Sequence, residues 1–195
     1  MYIFLHKLSR VMAVLGGLML TFLIVMVCVS ILGRSLNDLL HSNAIMTTVP
    51  ALAQWLLDIG IGPINGDFEM VETGVAFAIF SFLPLCQISG GHASVDIFTS
   101  RLSDRSNRIL QMLIDVLFAI VLIIIAVQLF GGLQSKLRSG QTTMLLEVPV
   151  WWGYALCMFG AASAAVVGVY MAIIRIREAV AGKAILLQLD DGAEH

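Results

Sequence analysis

Residues 11–32 read VMAVLGGLMLTFLIVMVCVSIL, a run without a single charged side chain. The hydrocarbon core of a bilayer is crossed by about 20 apolar residues in a helix. A stretch of this length and composition can bury its backbone polar groups in lipid only by bonding them to one another along a helix. Lys7 and Arg10 stand before it. A basic start followed by an apolar run is also how a secretory leader begins. This run exceeds a leader's apolar stretch of about 7–15 residues, and no small-x-small cleavage site follows it. It is expected to be a retained signal anchor.

Working outward, three further runs have the same character. They cover about residues 71–88, with Glu69 and Glu72 at the mouth, 109–133, interrupted by Asp115, and 150–174. The composition agrees: 59% of the 195 residues are hydrophobic and 12% are charged, against about half and a quarter in a soluble domain. Mean hydropathy is +0.95. These figures exclude a disordered chain, a collagen-like chain and a disulfide scaffold. The chain carries no basic stripe of the kind that nucleic acid needs, so no nucleic-acid partner is expected. The expected fold is an all-α integral membrane protein with four transmembrane helices. The transmembrane domain covers residues 1–178 and a polar cytoplasmic tail covers 179–195. Membrane lipid is its solvent.

Lysine and arginine set the expected orientation. Lys7 and Arg10, then Arg101, Arg105 and Arg108, then Arg175, Arg177 and Lys183 fall on one side of a four-span chain, and Arg34, Lys136 and Arg138 on the other. Both termini are therefore expected in the cytoplasm. The first outer loop, about residues 35–68, carries Asp38, Asp58 and Asp67. Leu52, Trp55, Leu56 and Ile59 recur there at i, i+3, i+4 and i+7, which predicts a short helix lying at the membrane surface or against a partner. Trp151, Trp152 and Tyr154 open the fourth span behind Pro149, where amphipathic rings sit at the headgroup level and proline suits a helix start.

Few residues offer chemistry. Cys28, Cys86 and Cys157 lie inside apolar runs and read as packing residues. His6, His41, His92 and His195 all lie outside the middle of a span, so axial haem ligation across the bundle lacks its parts. No phosphate-binding GxxxxGK[ST] loop occurs, and no metal or other cofactor is expected. Asp115, with Gln111 one turn before it, sits about two turns into the third span. It is either an ion or proton site or a structural carboxylate paired with an arginine. Gln128 lies deeper in that helix on a nearly opposite face, and Gln87 closes the second span; both are expected to hydrogen bond between helices. Gly160, Ala164, Gly168 and Ala172 form a small-residue stripe on the fourth span, with a weaker one at Ala13, Gly17 and Thr21 on the first. Such stripes seal helices within a chain or seat another subunit, so the first and fourth spans are candidates to face a partner. Pro84 should kink the second span near its inner end. Residues 89–96 read SGGHASVD, a glycine-rich turn in which His92 and Asp96 share a helical face and serve best as a cap.

Together these features resemble the small membrane subunit, DctQ-like, of tripartite ATP-independent periplasmic (TRAP) transporters. The resemblance covers about residues 5–178. It rests on Arg34 in ILGRS at the end of the first span and on Glu69-Met70 at the outer start of the second. It rests also on Gly91, His92 and Asp96 after the second span, and on Thr142, Thr143, Pro149, Trp151 and Tyr154 before the fourth. A basic residue common shortly before the histidine is replaced here by Gln87–Gly90, and the outer loop is longer than usual. The resemblance implies a three-part uptake system. A periplasmic binding protein captures a substrate such as an organic acid, a large sodium-coupled membrane subunit moves it, and the small subunit packs beside the large one. The residues agree with a scaffold. Secondary transporters bind cargo between repeats on broken helices, and this chain has no repeat and one deep carboxylate. The alternatives are a small oligomeric transporter that works through Asp115 and a membrane redox protein.

Overall fold

The computed structural model describes residues 1–42, 45, 47, 50–90 and 104–181. Its helices are α1 (Tyr2–Leu40), α2 (Pro50–Asp58), α3 (Asp67–Ile88), α4 (Asp104–Ser139) and α5 (Trp151–Ala181). All but α2 are long and apolar enough to cross a membrane. Among the described residues there is no strand, only an isolated antiparallel bridge between Thr142 and Pro149.

The helices outrun the apolar stretches that nucleate them. α1 is 39 residues long and α4 is 36, or roughly 55 Å each at about 1.5 Å per residue. Polar residues continue the helix past the apolar run because solvent-facing side chains there cost the helix nothing. At the end of α1 they also find partners: the Asn37 amide donates to the Ile61 carbonyl at 3.1 Å. α3 runs through Pro84 to Ile88 and buries the proline.

The four long helices form a row rather than a closed bundle. α1 packs on α3, α3 on α5, and α5 on α4, while α1 touches α5 only lightly. α5 is therefore interior, with 56% of its most apolar window buried, against 22% for α1 and for α4 at the two ends. Alanine, glycine and serine make this sandwiching feasible. Gly160, Ala161, Ser163, Ala164, Val167, Gly168, Met171 and Ala172 of α5 are all buried. A Cβ at Gly160 would stand 2.9 Å from the Phe80 backbone of α3, and one at Gly168 3.0 Å from Leu122 of α4. The stripe thus serves both neighbours of α5 within the chain.

α2 presents Leu52 and Trp55 outward, with Ile59 just beyond it also exposed, and buries Ala53. Most of the apolar stripe recognised in the sequence thus faces away from the chain.

Candidate functional site

Polar side chains gather near the two opposite tips of the long helices. The first turn of α3 organises the end that carries α2. Gly66 caps this helix with φ +77°, a conformation that L side chains rarely adopt, and a Cβ there would collide with Leu146. On one side, Ser30 of α1 donates a 2.6 Å hydrogen bond to Asp67, and the Arg34 guanidinium lies 3.7 Å from the same carboxylate oxygen. The Ile64 amide closes the knot by donating to the Ser30 hydroxyl at 3.2 Å. On the other side, the Glu69 carboxylate accepts the Leu145 and Leu146 amides at 2.9 and 3.1 Å.

Those amides belong to the connection between α4 and α5, which folds as a small hairpin. Thr143 and Val148 pair through their backbones, the Val148 amide also donates to the Thr143 hydroxyl, and the Val150 amide bonds the Gln141 carbonyl. Glu147 takes φ +53° at the turn. Glu69 thus binds a row of backbone N–H groups much as such groups bind any anion. Asp67 and Glu69 stand ahead of the apolar run of α3, which begins at Val71. The Ser30 hydroxyl holds the Asp67 carboxyl below its usual range, and the Leu145 amide does the same for Glu69. Met144 and Leu145 at the hairpin tip are exposed. Behind the tip, a groove of about 650 Å³ runs between α3, α5 and the hairpin, lined among others by Glu72, Thr73, Phe80, Trp152 and Tyr154. Trp151 opens α5 with its ring edge-on to Trp152, and Pro149 lies in the hairpin two residues earlier.

At the opposite end, Asp115 of α4 accepts from Gln87 of α3 at 3.2 Å and from Arg175 of α5 at 3.0 Å. Arg175 also donates to Glu178 at 2.9 Å. Gln87, Asp115 and Glu178 are buried. Three helices of the row are thereby joined through the Asp115 carboxylate, and the Arg175 guanidinium fork serves two carboxylates at once. Chemically this is a closed, hydrogen-bonded ion cluster of one cation and two carboxylates rather than an open coordination site. Among the described residues, no group of three or more His, Cys, Asp or Glu side chains could hold a metal.

Gln128 differs from Gln87. It points outward from α4 and has no hydrogen-bond partner among the described residues. Gly91, His92 and Asp96 lie outside the described residues. Sequence reasoning singled out Arg34, Glu69 and Asp115 but missed Ser30, Asp67 and Glu178 as their companions, and counted Arg175 only toward orientation. A serine or aspartate at a helix end carries no pattern of its own. Arg175 could have been paired with Asp115, since both lie near the same end of antiparallel spans.

No match was found among curated proteins or among solved structures. A family model described as tripartite ATP-independent periplasmic transporters, DctQ component, matches residues 23–178. That span includes α2, α3 and α4 whole, nearly all of α5, and both polar clusters. The chain therefore belongs to the DctQ family, the small membrane component of TRAP transporters.

Proposed function

We propose that this chain is the scaffold subunit of a bacterial inner-membrane uptake system for an organic acid. It anchors a large sodium-coupled membrane subunit and helps to dock the periplasmic binding protein. Both termini lie in the cytoplasm and the α2 end faces the periplasm, in keeping with the lysine and arginine distribution. The observation that carries the reading is the single row of helices whose deep carboxylate is already spent on Arg175. A transporter needs an enclosed path with exposed backbone or unpaired charge near the midplane. The described spans offer unbroken helices, and a row encloses no such path.

At the periplasmic end, the exposed Leu52 and Trp55 of α2 and the hairpin tip at Met144 are the surfaces available to lipid headgroups and to the binding protein. Deleting this chain while retaining the other two subunits should abolish substrate uptake in whole cells; undiminished uptake overturns the scaffold role. Asp115→Asn in the intact three-part system should leave uptake close to normal, because the amide still bonds Arg175. Loss of uptake by that variant, with complex assembly intact, would favour an oligomeric transporter working through Asp115.

A further inference from the structure

The scaffold reading leaves open which face of the row meets the large subunit. Only α1 and α4 lie at the ends, so each has a broad unpartnered flank. On α1 that flank is complete as it stands. Leu18, Phe22, Val25 and Val29 are exposed apolar side chains, and the Thr21 hydroxyl donates to the Gly17 carbonyl of its own helix at 2.9 Å. Lipid can solvate this face without leaving a polar group unmet.

The flank of α4 is different. Val121, Ile124 and Val127 are exposed beside Gln128, whose amide has no partner among the described residues. Its depth follows from helix register. A Cβ at Gly132 would touch the Tyr154 ring, and one at Gly168 would meet Ala119 and Leu122. Antiparallel helices matched at those points put Trp152 level with about residue 135 of α4. Gln128 therefore lies roughly two turns, or about 10 Å, inside the aromatic level. That is too deep for a short side chain to reach water, and hydrocarbon satisfies neither its donors nor its acceptor. One turn away, Gly131 is exposed with nothing near the position of its Cβ. A glycine inside a helix weakens it unless something approaches closely. Gly17 of α1 is similarly open, so glycine alone does not choose between the ends; the unmet amide does.

We infer that the outward face of α4 around Gln128 and Gly131 seats the large membrane subunit. The occupant is one of its transmembrane helices, crossing closely at Gly131 and offering a hydrogen-bonding group to the Gln128 amide. The inference rests on the scaffold reading and adds to it the side by which this chain is held.

A photo-crosslinking residue placed at Ile124 of α4, or at Phe22 of α1, tests it in membranes that also make the large subunit. Ile124 should yield an adduct with the large subunit and Phe22 none. An adduct at Phe22 but not at Ile124, or an Ile124 adduct with a second copy of this chain, overturns the inference. Gln128→Leu should lower co-purification of the large subunit by roughly three- to tenfold, while the thermal stability of the isolated chain holds or rises. Full co-purification of that variant also overturns the inference. Should the unmodified chain itself fail to recover any large subunit, the scaffold reading falls, which separates its failure from that of the α4 face.

Discussion

Glu69 ties two parts of the chain separated by more than seventy residues through bonds to backbone amides, so no partner side chain in the sequence could have betrayed it. Its family position was visible, but its task was not. Glu69→Gln keeps one acceptor and loses the charge, and should speed hydrogen exchange at the Leu145 and Leu146 amides while leaving the spans protected. The same holds for acid. A carboxyl lowered by folding contributes stability above its unfolded pKa, and that contribution is lost as pH falls through the lowered folded value. The hairpin should therefore loosen below the usual carboxylate range and be insensitive to pH near neutrality. Arg175 shows the opposite kind of dependence. Arg175→Met takes the cation away from two buried carboxylates and should destabilise the chain by about 3–5 kcal/mol, measured by unfolding in detergent. Adding Asp115→Asn should recover part of that loss.

At the level of elements, the four spans were legible because hydrophobic length is a coarse signal that local packing rarely overrides. Helix ends were less so. α1 runs to Leu40 rather than stopping near residue 32, since the bonds that hold its last turns come from residues 61–67, far along the chain. The stripe at Gly160, Ala164 and Gly168 was visible too, but spacing cannot say whether the neighbour is internal. Here it is, on both flanks of α5. Gly160→Val should force α5 away from the Phe80 backbone and cost about 1–3 kcal/mol, whereas Gly131→Val on the open flank of α4 should leave the isolated chain's stability nearly unchanged.

For the whole molecule, the proposed orientation has a direct check. In a variant lacking Cys28, Cys86 and Cys157, Met144→Cys should react with a membrane-impermeant maleimide added from the periplasm, and Arg108→Cys should react only after the membrane is opened. The reverse pattern would invert the chain. The order of helices in the row was not legible at all. Chain order places α4 between α3 and α5, yet in space α5 lies between α3 and α4. The small residues that fit α5 to both neighbours are what decide this.

That order means the chain is held mainly by pairwise seams, with a small apolar cluster of Tyr2, Leu5, Ile88, Val167 and Met171 where α1, α3 and α5 meet. Its stability is closer to a sum of three seams, α1 with α3, α3 with α5, and α5 with α4, as in a linear array of repeats. Each end helix is held by one main seam and each middle helix by two. Under a pulling force or in harsh detergent such a chain peels instead of melting. If the proposed partner covers α4, the free margin is α1, and disassembly should start there.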